Sequence, residues 1–240
     1  MKNETAGGRL VVVTGASKGI GKAIAQQFAA EGCTVLLCAR NAATLQNCVA
    51  ELKSQHALAG IEGFVADLSV KAQLQDFAQW CLQKGTPDIL VNNAGTYLPG
   101  NIRDEAESNL EHMMSTNFYS AYYLTRLLLP PMLHAGSGHI FNICSIAALQ
   151  AYDGGGSYSI SKFALDGFST NLRHELKQTG IKVTTVYPGA VLTDSWGNFD
   201  NSNNRIMEAS DVASMILTAS KLSPQAVVEE IVLRPQLGDL

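Results

Sequence analysis

Leu10-Val11-Val12-Val13-Thr14-Gly15-Ala16-Ser17-Lys18-Gly19-Ile20-Gly21 is the stretch from which the fold is read. A continuous apolar run, Leu10 to Val13, suits a strand covered on both faces, as in a parallel sheet. The run passes directly into glycines. From Ile20 to Glu31 the pattern is helical, and Gly32 is placed to stop it. Glycines at a strand-to-helix turn let the main chain approach a pyrophosphate, whose charge is favoured at a helix N-terminus. The spacing is G-x-x-x-G-x-G, not G-x-G-x-x-G, and no Gly-Lys-Ser/Thr follows as a Walker loop requires. A glycine turn alone can serve packing only. Placed after the first strand of a βαβ unit, it favours a dinucleotide.

Outward from this stretch, short apolar runs alternate with helical patterns. Strands are predicted at Thr34 to Ala39, Ile61 to Val65, Ile89 to Asn92, His139 to Cys144, Lys182 to Tyr187 and Glu230 to Arg234. Between them, Asn41 is expected to cap a helix running to about Ser54, and Ser69 one running to about Lys84. A long helix is predicted from Glu107 to Met132, kinking or ending at Pro130 and Pro131. Another covers Ser157 to Thr179, and a last one begins near Ser210. This alternation implies one α/β domain over residues 1–240. Its expected form is a doubly wound, Rossmann-type, seven-stranded parallel sheet with helices on both faces. The irregular stretch at about 190–209 follows a strand end, where open α/β sheets bind ligands, and reads as a short substrate loop.

The end of the second strand bears on which dinucleotide binds. NAD sites usually carry an acidic residue there for the ribose 2′-hydroxyl. Here the strand ends Leu37-Cys38-Ala39-Arg40, and Arg40 can pair with a 2′-phosphate through its planar fork. Lys18 adds a second positive charge in the turn. The alternative is a pair of solvated surface cations; the weighing favours NADP(H).

Tyr158-Ser159-Ile160-Ser161-Lys162 carries the chemistry. Spacing i, i+4 puts Tyr158 and Lys162 on one helical face. An ammonium beside a phenol is expected to lower the tyrosine pKa, so that Tyr158 can exchange a proton with an alcohol near neutral pH. Taken alone, such a pair is more often a packed ring beside a solvated lysine.

At 240 residues, 46% hydrophobic and 16% charged with mean hydropathy +0.06, the chain suits a globular enzyme. A net charge of -4 and the absence of a Lys/Arg cluster argue against nucleic acid as a partner. Cys33, Cys38, Cys48, Cys81 and Cys144 form no C-x-x-C pair and read as free thiols in a reducing compartment. Met1 to Arg9 is polar, and no apolar run approaches a membrane span, so the expected location is cytoplasmic, away from the membrane. Asn3-Glu4-Thr5 matches a glycosylation triplet that has no meaning there. His56, His112, His134, His139 and His174 lack metal-ligand spacing, so no metal is expected. Ile143-Cys144-Ser145-Ile146-Ala147 lacks the G-x-S-x-G elbow of a hydrolase, and strand alternation turns Cys144 away from the Ser145 side.

Over essentially its whole length the chain resembles the short-chain dehydrogenase/reductase family. The resemblance is carried by Thr14-Gly15-Ala16-Ser17-Lys18-Gly19-Ile20-Gly21, Asp67, Asn92-Asn93-Ala94-Gly95, Asn117, Ser145, Tyr158-x-x-x-Lys162 and Pro188-Gly189 with Thr193. It implies Tyr158 as general acid in carbonyl reduction, with Lys162 lowering its pKa and holding the nicotinamide ribose. Ser145 would hydrogen-bond the substrate carbonyl, and Asn117 would hold a water in a proton relay from Lys162 to solvent. Asp67 and Leu68 would bracket the adenine, with Asn93, Ala94 and Gly95 lining the cleft. Pro188, Gly189, Val191 and Thr193 would hold the nicotinamide amide and diphosphate end. Gly15, Ser17, Gly19, Ile20 and Gly21 belong to the cofactor turn.

The C-terminal third is similar to bacterial sepiapterin-reductase-like members, in Pro188-Gly189-Ala190-Val191, Trp196-Gly197, Val227 to Ile231, Leu233-Arg234-Pro235 and Gly238-Asp239. Such members reduce carbonyls beside a pterin ring or small vicinal dicarbonyls. Trp196 then closes over a planar substrate or serves as a loop anchor. Tyr97 to Pro99 and Leu149 to Tyr152 form the other walls, and Gly154-Gly155-Gly156 suggests a flexible entry to the Tyr158 helix. The helices Glu107 to Met132 and Ser157 to Thr179 carry more apolar surface than one sheet face needs, and the resemblance implies a homodimer or homotetramer through them. Two rival readings remain. A 3-oxoacyl-thioester reductase would need a basic patch at the pocket mouth, and no clear one is visible. A non-catalytic NADP(H)-binding redox sensor would need no proton relay.

Overall fold

The computed structural model describes residues 8–239, so the Asn3-Glu4-Thr5 triplet lies outside the described residues. The strands are β1 (Leu10–Thr14), β2 (Thr34–Ala39), β3 (Ile61–Val65), β4 (Ile89–Asn92), β5 (Gly138–Ile143), β6 (Ile181–Pro188) and β7 (Glu230–Leu233). They form one sheet in the order β3-β2-β1-β4-β5-β6-β7, with every pairing parallel. Strand order reverses between β1 and β4, which opens a crevice at their C-terminal ends.

Alternation along β1 and β2 divides the interior. Val11, Val13, Val35 and Leu37 face a core completed by Ile24, Phe28, Leu45, Leu52, Val212 and Ile216. Leu10, Val12, Leu36 and Cys38 face the opposite core, with Leu74, Phe77, Leu124, Leu128, Leu172 and Leu176. The first core seats helices α1 (Gly19–Ala30), α2 (Ala42–Gln55) and α7 (Ala209–Ser220). The second seats α3 (Lys71–Lys84), α5 (Ser120–Ala135) and α6 (Gly156–Leu176). The short α4 (Asn109–Met113) leads into a π-helical stretch, Met114–Tyr119, which joins α5. The single doubly wound layer expected from the sequence is therefore present, with helices on both faces.

Local details depart from expectation. Asn41 does cap α2, accepting the Thr44 N–H at 3.0 Å. Ser69 does not cap α3: its N–H and hydroxyl are turned to Asp67 Oδ1, and the helix starts at Lys71. The long helix does not end at Pro130 and Pro131, which lie inside it. Leu124, Leu128 and Met132, four residues apart, are fully buried, while the prolines lie on the outer side. That anchored face carries α5 on to Ala135, where Gly136 at φ 66° closes it by accepting the left-handed conformation.

Candidate active site

The glycine turn is built by close approach. Gly15 has φ 61°, and a Cβ there would stand 2.9 Å from Ala94 Cα. A Cβ on Gly21 would lie 2.5 Å from Asn93 Nδ2. Asn93 pins the turn: its Nδ2 donates to Thr14 O at 2.9 Å and Gly15 O at 3.0 Å. The Thr14 hydroxyl accepts the N–H groups of Asn93 and Ala94, both at 2.9 Å. Thr14 was missed at the sequence level, because nothing marks a strand-end threonine as the bolt between β1 and β4. The Asn93 side chain is thus committed to the turn, and its part in the cleft falls to its main chain.

Helix α1 starts beside this turn with no side-chain cap and no acidic residue in its first turn. Its first N–H groups and the positive end of its dipole are therefore available to an anion. Gly19 packs under Thr193, with only 3.1 Å between a would-be Cβ and Thr193 Cγ2. Ser17 and Ile20 are half-buried on the same turn. The cradle fits a dinucleotide pyrophosphate.

At the end of β2, Arg40 is exposed and faces Asp67. Burial works to raise the Asp67 carboxyl, but the Ser69 hydroxyl and N–H and the Arg40 charge hold it below its ordinary value. Leu68 and Val191 bury their side chains in the two cores, which leaves their main chains as the groups facing a ligand. Lys18 is not a bare cation: its Nζ pairs with Asp194 Oδ2 at 2.7 Å across the mouth of the turn. The two residues are 176 positions apart, so no local pattern announces Asp194.

Tyr158 is half-buried in the first turn of α6. Ser145, just past β5, lies beside the phenol, where it works to lower the phenol pKa, and accepts the Ala147 N–H at 3.1 Å. Tyr97 lies edge-on to Tyr158, with centroids 4.9 Å apart, and next to Tyr152, whose phenol pKa it helps to push up. Lys162 is buried, its Nζ 5.8 Å from the Tyr158 centroid and 3.0 Å from Ile143 O, to which it donates. Gly95 leaves room at this point: a Cβ there would be 3.6 Å from Lys162 Nζ and 3.3 Å from Asn117 Oδ1. Four residues scattered over the chain thus converge at the C-terminal ends of β4 and β5.

One expectation is corrected. The Tyr158 phenol is not lowered: burial pushes it up to about 12, with Ser145 working against the rise. Lys162 does not offset this: burial also lowers its own pKa, and its Nζ donates to the Ile143 carbonyl. The Asn117 side chain is tied at both ends, with the second acceptor position of its Oδ1 left over. Its Oδ1 accepts the Thr96 N–H at 2.7 Å, and its Nδ2 donates to Thr96 O and Ser161 Oγ at 3.0 and 2.8 Å. Ser161 and Thr96 were missed because they act as partners of Asn117 rather than as chemistry.

In the loop before α6, Gly154 is held by two hydrogen bonds: Gly100 N–H donates to Gly154 O, and Gly154 N–H to Asn101 Oδ1, both at 3.1 Å. Trp196 sits in a 3₁₀ turn, Asp194–Trp196, tilted against Phe199 at 5.2 Å, as a loop anchor would. The loop is closed at its base by a bridge between Val191 and Met207. Cys144 donates to Lys162 O at 3.2 Å, and burial pushes its thiol up to about 11, so it is no nucleophile at neutral pH.

The family model described as short chain dehydrogenase matches residues 9–204. The chain belongs to the short-chain dehydrogenase family. Among its relatives is a sepiapterin reductase of Chlorobaculum tepidum, 34% identical over 96% of this chain and 98% of that protein. A metagenomic short-chain oxidoreductase solved in complex with NADP superimposes with TM-score 0.84, at 31% identity, over 96% of this chain and 98% of that one. L-sorbose reductase from Gluconobacter frateurii, solved with NADPH and L-sorbose, gives 0.86 at 26% identity over 95% of both chains. In this short-chain dehydrogenase, the family's motif residues occupy one crevice, from the glycine turn to Tyr158.

Proposed function

We propose that this chain is an NADP(H)-dependent reductase of a small carbonyl compound. The observation that carries the reading is the convergence of Ser145, Tyr158 and Lys162 beneath Gly95, beside the glycine cradle. The nicotinamide, when bound, supplies the hydride. Tyr158 holds its proton throughout the neutral range, which suits a general acid toward a reduced carbonyl oxygen. Ser145, beside the phenol, is placed to donate to the same oxygen as charge develops on it. Lys162 and Asn117 hold this arrangement from below, and a relay water on Asn117 would use its main chain or the second acceptor position of its Oδ1.

Arg40, exposed where a β2-end carboxylate would otherwise stand, supports NADP(H) over NAD(H). Gly15 to Gly21, Asp67, Leu68, Asn93 to Gly95 and Pro188 to Thr193 would hold the cofactor. Tyr97 and Tyr152 form an aromatic wall for a flat substrate, in keeping with a pterin-like or vicinal dicarbonyl compound. Trp196 and the rest of the 190–209 loop would close the other side. Exposed Tyr119, Leu127, Leu133, Ile160 and Phe163 support a homodimer or homotetramer through the α4–α5 and α6 surfaces. No helix among the described residues is long and apolar enough to cross a membrane, and all five cysteines are free and buried, in keeping with a cytoplasmic enzyme.

The test is NADPH oxidation against sepiapterin, small vicinal diketones and an acetoacetyl thioester, with Tyr158→Phe as control. Turnover on one class is expected, falling about 10²–10⁴-fold in Tyr158→Phe with NADPH affinity retained. Turnover only on the thioester would move the reading to an oxoacyl reductase. Tight NADPH binding with no turnover on any substrate would favour the redox sensor.

A further inference from the structure

We propose that Glu105 is a positioning residue for Tyr158: its carboxylate caps the first turn of α6 from a separate loop and so fixes where the phenol points. The inference rests on the carbonyl-reductase reading above. Helix α6 starts after Gly155, which has no side chain to cap it. Its first-turn N–H groups therefore find no acceptor in a side chain at the N-cap. Glu105, 52 residues upstream, supplies one: its Oε1 accepts the Ser157 hydroxyl at 2.5 Å, and its Oε2 faces the Ser157 N–H at 3.4 Å. A carboxylate there is also favoured by the positive end of the helix dipole. Ser157 is buried, and Tyr158 is the next residue.

The carboxylate has no slack. Its own backbone N–H donates to Asn101 O at 2.8 Å, and Asn101 Oδ1 accepts the Gly154 N–H. A Cβ on Gly100 would lie 2.8 Å from Glu105 Cβ, and one on Gly156 would lie 3.0 Å from Glu105 Oε2. The same two loops carry Tyr97 and Tyr152, so the clamp that sets the helix start also sets the spacing of the aromatic wall. Glu105 itself does not touch the phenol; it acts through Ser157.

The experiment uses the full chain with Glu105→Ala, Glu105→Gln, Ser157→Ala and the Glu105→Ala/Ser157→Ala pair. Turnover, NADPH affinity by fluorescence and amide hydrogen exchange are all measured. Glu105→Ala is expected to lower kcat about 10–100-fold, the scale of an ångström-sized misplacement, with NADPH affinity unchanged within about twofold. Glu105→Gln keeps an acceptor oxygen and should recover most of the loss. Adding Ser157→Ala to Glu105→Ala should cost nothing more. Amides 157–160 should exchange about 5–30-fold faster in Glu105→Ala, the scale of a lost helix cap, while amides 172–176 are unchanged. Wild-type kcat in Glu105→Ala overturns the proposal. So does a glutamine variant no better than alanine, or a loss of kcat and NADPH affinity together with faster exchange along all of α6. A wild-type chain without turnover overturns the reductase reading and the positioning role with it, and the exchange pattern then shows whether the cap itself is real.

Discussion

The cofactor end and the substrate end of the crevice are built on different principles. At the cofactor end, the β1–α1 turn meets the β4 loop main chain to main chain, with Gly15 and Gly21 leaving no room for side chains and Asn93 and Thr14 bolting the contact. At the substrate end, two loops are tied mainly by side chains: Glu105 to Ser157 and Asn101 to Gly154. Main-chain packing tolerates almost no substitution and so leaves a readable pattern of glycines. Side-chain ties between loops can be rebuilt from many residue types, which lets a substrate pocket vary while the cradle stays.

The largest effect is expected beneath both ends, in the strand pair that carries Ser145 and Pro188. His139 is buried on β5, stacked on Phe141 at 3.9 Å and bonded through Nε2 to Thr184 Oγ1 on β6 at 2.7 Å. Burial, with Lys182 and Arg9 nearby, pushes its pKa down to about 3. The folded chain keeps this imidazole neutral, while the unfolded chain binds a proton below about 6.5, the reference histidine value. Stability from this group is thus complete above that pH and falls by about 1.4 kcal/mol per pH unit as the pH drops toward 3. Urea unfolding between pH 7 and 4 should show this slope in the wild type and a shallower one in His139→Gln. Equal slopes would mean that other groups govern the acid limit.

Gly21→Ala tests the main-chain end. The new methyl must displace Asn93 Nδ2 or the Gly15 carbonyl, and overpacking of this kind costs about 1–3 kcal/mol. Urea midpoints should fall, and NADPH affinity should fall with them, because the turn itself moves. A stable variant with intact NADPH binding would show that the two loops slide apart freely, and the contrast between the ends would collapse.

What the sequence made legible follows the same division. The positions of the strands along the chain, the glycine cradle and the Tyr158–Lys162 face rest on local patterns: apolar runs, glycine spacing and an i, i+4 pair. The prolines of α5 did not mark its end, because the burial of Leu124, Leu128 and Met132 carries the helix past them. The Tyr158 pKa misled because spacing shows that a lysine is near but not what its Nζ bonds or how dry the site is. Glu105 and Asp194 left no trace, since each meets its partner only after the sheet has brought distant loops together.

Arg40→Ala probes the cofactor end through a side chain. A charge-assisted contact to a 2′-phosphate is worth about 1.5–3 kcal/mol, so NADPH affinity should fall roughly 10–100-fold while NADH affinity stays within about twofold. Equal losses for both nucleotides would return Arg40 to its role beside Asp67.

The smallest effect lies where the two ends touch. Lys18 and Asp194 join the glycine turn to the loop after β6, and both side chains are more than half exposed. Exposed pairs contribute about 0–1 kcal/mol and weaken with salt, so Asp194→Asn should leave folding stability nearly unchanged. Its effect should appear in binding instead. Releasing Lys18 from its partner makes the ammonium available to a phosphate, and NADPH affinity should rise about two- to fivefold at low ionic strength and return to the wild-type value near 0.5 M salt, where the Debye length is only about 4 Å. Lys18→Ala should remove the gain in the double variant. If Asp194→Asn instead weakens NADPH binding at every salt concentration, the ion pair helps to hold the loop over the cofactor, and the two ends of the crevice are coupled through it.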